Sequence, residues 1–169
     1  MTLSDTMRDS LNDQVKWELW SGYYYLSMAT YFYEKNLPGF AKYWTVHAAE
    51  EQEHAMKIFK HIVERGGRVT LQTIEQPQTD WNSPLHVAEE VVEHERKVTG
   101  MINNLVTMAK SENDYATEVF LQWFIDEQVE EEEGAEKVYN QVKLAGDSGT
   151  ALLMLDIEFA KKAAAKEED

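Results

Sequence analysis

The sequence has no cysteine among its 169 residues, only three prolines and eight glycines, and 16 basic residues against 31 acidic ones. Each shortage removes a class of protein. Without thiols there is no disulfide framework, zinc–thiolate site, iron–sulfur cluster or thiol nucleophile. A formal charge of −15 argues against a nucleic-acid partner, because phosphate recognition needs an accessible basic face. No run of about 18 apolar residues occurs, so no membrane-spanning helix is expected. Met1–Asp13 has no basic segment leading into an apolar stretch, so no signal peptide and a cytoplasmic location are expected. Disorder is disfavoured by what is present: 43% of residues are hydrophobic and 11% aromatic, enough to build the core of one domain over residues 1–169.

Sparse glycine and proline leave long uninterrupted stretches. One runs from Ser4 to Asn36 and stops at Leu37-Pro38-Gly39; another runs from Phe40 to Arg65 and ends at Gly66-Gly67. Ser83-Pro84 reads as an N-cap with proline at the first helical position. Within these stretches apolar residues recur every three or four positions, the helical period. The stripes are Leu11, Val15, Gly22, Tyr25, Ala29 and Phe32; then Phe40, Trp44, Ile58 and Ile62; then Ala88, Val91, Val98, Ile102 and Leu105; then Phe120, Phe124, Ala135 and Val138. The spacing predicts helices over 4–36, 40–65, 84–110 and 115–144, with a shorter fifth over 148–160 and a frayed tail from Lys161. The fold class is therefore all-α, a four-helix bundle with a short C-terminal helix. Gly66–Ser83 is long enough, at roughly 3.4 Å per extended residue, to travel the whole bundle and make the second and third helices parallel.

The residues that break the stripes carry the chemistry. Glu18 lies between Val15 and Gly22, Glu51 and His54 between Trp44 and Ile58, Glu95 between Val91 and Val98, and Gln128 and Glu131 between Phe124 and Ala135. Each long helix thus turns one carboxylate inward. A lone buried carboxylate costs several kcal/mol, and no lysine or arginine falls on the same stripes. Protonation is one remedy, with like charges raising one another's pKa. Metal is the other: four carboxylates balance two divalent cations, and an oxygen-rich donor set with one imidazole suits iron better than structural zinc.

The stretches Trp17-Glu18-Leu19-Trp20, Glu50-Glu51-Gln52-Glu53-His54-Ala55-Met56, His94-Glu95, Phe120–Phe124 and Asp126–Glu132 together resemble the prokaryotic non-haem ferritins, over nearly the whole chain. Glu64-Arg65-Gly66-Gly67-Arg68-Val69 also matches the family's linker after its second helix. The resemblance implies a ferritin-like bundle with one long crossover and a di-iron ferroxidase centre that oxidises Fe(II) with O2 or H2O2. It assigns the first iron to Glu18, Glu51 and His54. The second goes to the bridging Glu51 with Glu95 and Glu131, and Gln128 stands beside the pair. A third iron site on the cavity side corresponds to Glu50, Glu127 and Glu130, with Glu131 shared. Tyr25, two turns from Glu18, corresponds to a tyrosine that neighbours the centre as an electron donor; ordinary core packing explains its position equally well. His47 receives no ligand role. No haem is expected, because the position where bacterioferritins carry a haem-binding methionine is Gln52, and their second E-x-x-H is here Gln128-x-x-Glu131. The lack of cysteine sets rubrerythrins aside.

The resemblance further implies a hollow homo-oligomer of about 24 subunits, and the apolar Leu152, Leu153, Leu155, Ile157 and Phe159 of the fifth helix suit burial in an assembly. Two other readings stand beside iron storage: a di-iron peroxidase or oxygenase that stores nothing, and a non-enzymatic acidic adaptor.

Overall fold

The computed structural model describes residues 2–167. Five helices follow one another: α1 (Asp5–Glu34), α2 (Pro38–Glu64), α3 (Pro84–Ser111), α4 (Tyr115–Ala145) and α5 (Gly149–Glu167). The first four form the expected bundle. No described helix is long and apolar enough to cross a membrane.

Local chemistry sets the boundaries. Ser4, Ser83, Asp114 and Ser148 each accept a hydrogen bond from the backbone N–H three residues on, satisfying donors that the first turn leaves free. At the other ends the chain turns through the left-handed region, at Asn36 (φ 59°), Gly66 (73°) and Asn113 (56°). Asparagine tolerates this conformation better than other side-chain-bearing residues, which explains stops at Asn36 and Asn113 where no glycine stands.

Residues 65–83 form no helix, and their hydrogen bonds record their path. Asn12 Nδ2 donates to the Arg68 carbonyl (3.1 Å), Lys16 pairs with Glu75 (3.1 Å), and Ser27 Oγ donates to the Gln78 carbonyl (2.6 Å). The segment therefore travels along α1 from its start towards its end. Trp81 and Tyr24 both donate to Glu90 Oε2, each at 2.6 Å, fixing the start of α3. Gly22 of α1 lies against Ala48 and Glu51 of α2, and Ser21 of α1 meets His94 of α3. Both α2 and α3 run antiparallel to α1, and so parallel to each other, as the long connection predicts.

The core falls into two apolar clusters. One gathers Tyr25, Met28, Phe32, Phe40, Trp44, Val91 and Val138; the other gathers Met7, Leu11, Val15, Ile58, Ile62, Val98, Leu121 and Phe124. Glu18, Glu51, His54, Glu95 and Gln128 are buried in the seam between them. The predicted stripes are buried throughout, apart from a half-buried Phe120.

The fifth helix corrects the expectation. The tail from Lys161 does not fray: α5 continues to Glu167, and residues 168–169 lie outside the described part. Ala163–Ala165 favour helix, Ala163 is fully buried, and Lys166 and Glu167 pair with Glu50 and Lys42 on α2. Higher up, Phe159 packs on Phe40 and Tyr43, and the buried Asp156 accepts the Phe40 N–H at 2.9 Å. The two helices touch closely at Gly39, where a Cβ would lie 1.8 Å from the Asp156 carbonyl oxygen. Gly39→Ala is expected to destabilise the chain by about 2–3 kcal/mol, read as a lowered melting temperature. An unchanged melt would show that α5 is not seated there.

Candidate metal centre

Helix α1 supplies Glu18, 2% exposed, whose Oε1 accepts a 2.7 Å hydrogen bond from Gln14 one turn earlier. Helix α2 supplies Glu51 and His54, i and i+3 on one face, with His54 Nδ1 3.5 Å from Glu51 Oε2 and 3.9 Å from Glu18 Oε2. A ligand atom from each of the three lies within 4.8 Å of the other two. The absent side chain of Gly22 lets α2 come this close; a Cβ there would lie 2.9 Å from the Ala48 carbonyl oxygen.

Glu95 faces this trio from α3, also 2% exposed. The Tyr25 hydroxyl donates to its Oε1, and Gln128 Nε2 of α4 donates to its Oε2 at 3.2 Å. Gln128 is itself placed by Thr99 Oγ1, 3.2 Å from the same nitrogen. Tyr25 is stacked on Trp44, 5.3 Å between ring centres. Core packing and a hydroxyl bonded to a site carboxylate therefore coexist in one residue. Glu127 approaches from the open side, its Oε1 3.8 Å from His54 Nε2.

Glu131 stands apart from the trio. It groups with Glu50 and His47, whose Nδ1 is 3.2 Å from Glu50 Oε2 and 3.8 Å from Glu131 Oε2. The buried His47, given no ligand role from the sequence, thus faces both acids, while its Nε2 has no hydrogen-bond partner among the described residues. Glu130 is exposed and belongs to neither group. The sequence also gave no role to Gln14, Thr99 or Lys166, each of which holds a site residue. Gln14 was the one within reach, sitting four residues before Glu18 on the same face.

Electrostatics show what this clustering costs. Burial, and then the neighbouring Glu51 charge, pushes Glu18 well above the usual carboxylate range. Glu51 rises for the same reasons, burial first and then Glu95. Glu95 rises less, because the Tyr25 and Gln128 hydrogen bonds oppose burial. Glu131 is pushed up to about 8 by burial and by Glu95. His47 is lowered to about 3, chiefly by burial, which leaves it neutral with a lone pair to offer. Among the described residues no lysine or arginine pairs with Glu18, Glu51 or Glu95. Protons alone leave such a cluster charge-poor; divalent cations suit its carboxylate-rich donor set.

A family model described as a ferritin-like domain matches residues 8–145. The chain belongs to the ferritin family. It is 40% identical over 147 residues to a bacterial non-heme ferritin of Bacteroides fragilis, covering 87% of this chain and 92% of that protein. A bacterial non-heme ferritin of Campylobacter jejuni is 37% identical over 154 residues, covering 91% and 92%. Among solved structures, an open pore ferritin from the hyperthermophilic archaeon Archaeoglobus fulgidus superposes with a TM-score of 0.93 at 46% identity, covering 94% of this chain and 98% of that one. Ferritin-family membership agrees with the helix order, the parallel α2 and α3, and the placement of acids on all four long helices.

Proposed function

We propose that the chain is the subunit of an iron-storing shell, oxidising Fe(II) at a paired site and depositing a ferric mineral inside. The observation that carries this reading is the buried trio Glu18, Glu51 and His54, facing Glu95 across the seam, with no lysine or arginine paired to these acids among the described residues. Iron is the substrate. Glu18, Glu51 and His54 would hold one ion; Glu51 as a bridge, with Glu95 and Glu131, would hold the second. Two Fe(II) ions give up two electrons together, so dioxygen takes two protons and becomes hydrogen peroxide, or peroxide takes two more of each and becomes water. Anionic oxygen donors favour Fe(III), which drives the transfer. Gln14 and Gln128 orient the ligands through their amides, and Tyr25, hydrogen-bonded to Glu95, is the aromatic group placed to donate a further electron.

Glu50, Glu127, Glu130 and Glu131 would form a third, transit position leading off the pair. The closeness of Glu50, His47 and Glu131, with a ligand atom of each within 4.8 Å of the others, supports an inner part made by Glu50 and Glu131. The exposed Glu130 would act at the outer edge.

Storage requires a container. Leu153 (56% exposed), Met154 (68%) and Ile157 (59%) form an apolar face on α5 that a lone subunit leaves in water, in keeping with a homo-oligomer, of 24 copies by family likeness. Native mass measurement followed by aerobic Fe(II) loading tests the proposal. A large shell that gains an electron-dense core supports it; a monomer or dimer that oxidises iron and releases it would replace storage by a di-iron oxidase.

A further inference from the structure

One basic residue enters the acidic face of the site, and it comes from the far end of the chain. Lys166, in the last turn of α5, places its Nζ 2.7 Å from Glu50 Oε1 and 2.8 Å from Oε2. This is a two-oxygen grip on one carboxylate, the way a small cation would hold it. The same Glu50 Oε2 is 3.2 Å from His47 Nδ1, which in turn lies 3.8 Å from Glu131 Oε2. Lys166 is therefore the ammonium at the mouth of the Glu50–His47–Glu131 group, and its charge acts on both His47 and Glu131. The arrangement is built: Phe159, Asp156 and Ala163 seat α5 on α2, and the four-carbon stem of the lysine is free to swing without unseating the helix.

We propose that Lys166 is a tethered competitor for the third metal position: its ammonium holds Glu50, and a divalent cation entering between Glu50, His47 and Glu131 must displace it. The inference rests on the storage reading and deepens it. A transit position must bind weakly enough to pass its ion on. A lysine that returns to the same carboxylate opposes retention of the ion, whereas Glu18, Glu51 and Glu95, paired with no lysine or arginine among the described residues, hold their ions tightly. Lys166 is thus a positioning residue that sets relative affinity, not a ligand.

The test is calorimetric titration of the metal-free assembled protein with Zn2+, which binds without redox chemistry. The Glu50→Ala variant identifies the class of sites that depends on Glu50. Lys166→Met is expected to tighten that class about fivefold, the size of one partly exposed ion pair, and to leave the Glu18–Glu51–His54 site unchanged. Lys166→Arg should restore wild-type affinity, and Lys166→Met should have no effect in the Glu50→Ala background. An unchanged Glu50-dependent class in Lys166→Met, or equal tightening without Glu50, overturns the assignment of Lys166 alone. Absence of Glu51-dependent binding from every form overturns the ferroxidase reading as well.

Discussion

Replacing Glu51 with alanine is expected to remove rapid aerobic oxidation of Fe(II), slowing it by about 100-fold or more, while the fold survives. The size follows from position. Glu51 is the acid that reaches both halves of the centre: its carboxylate lies 3.5 Å from His54 Nδ1 and interacts electrostatically with Glu18, Glu95 and Glu131. Losing it leaves neither ion a full ligand set, and loss of paired geometry costs rates of that order. The fold should tolerate the change, because the two apolar clusters lie on either side of the seam and removal of a buried, uncompensated carboxylate relieves a penalty. Glu130→Ala provides the contrast. With its side chain exposed and outside both groups, it should leave the first rapid oxidation intact and alter only repeated turnover or core growth. Stopped-flow absorbance during successive Fe(II) additions separates the two, and equal loss of the rapid phase in both variants would contradict the division between paired and transit positions.

The metal-free protein becomes less stable as pH rises from 5.5 to 8, and divalent cations reverse the trend. Glu131 has an ordinary carboxylate value of 4.5 when unfolded and about 8 when folded, and Glu18 and Glu51 are raised in the same direction. Across that window the folded chain holds protons that the unfolded chain has released, so stability is greatest below pH about 4.5 as far as these groups are concerned and is lost as pH rises through 8. A fall in melting temperature on the order of 10 °C is expected over the window. A bound divalent cation takes the place of the protons, so its stabilising effect should grow with pH. Glu131→Gln should flatten both trends. Differential scanning calorimetry with and without Zn2+ measures them; a metal-free melting temperature that rises with pH would show that the acids are neutralised in another way.

Much of this site is legible in the sequence, for a specific reason. Glu18, Glu51, His54, Glu95 and Gln128 interrupt strongly periodic apolar stripes, so the helical period alone assigns them to the interior, and all five are buried. The crossover was readable from its length, and its hydrogen bonds with Asn12, Lys16 and Ser27 bear that out. What the stripes could not resolve was angular position within a helix. Glu127, Glu130 and Glu131 lie within about one turn, yet in the structure the first approaches His54, the second faces solvent and the third sits with His47. His47 stands three residues before Glu50 on α2, but its second acid, Glu131, comes beside it only through the packing of α4. Lys166 was hidden for a different reason. An alanine- and lysine-rich end reads as a frayed tail, and nothing local announces a contact 116 residues away in sequence.

Anomalous diffraction from crystals soaked anaerobically with Fe(II) tests the central claim most directly. Two strong iron peaks per subunit are expected on either side of the Glu51 carboxylate, one touching Glu18 and His54 and the other touching Glu95. Iron found only on the exposed acids of the surface, with the Glu18–Glu51–His54 trio holding none, would contradict it.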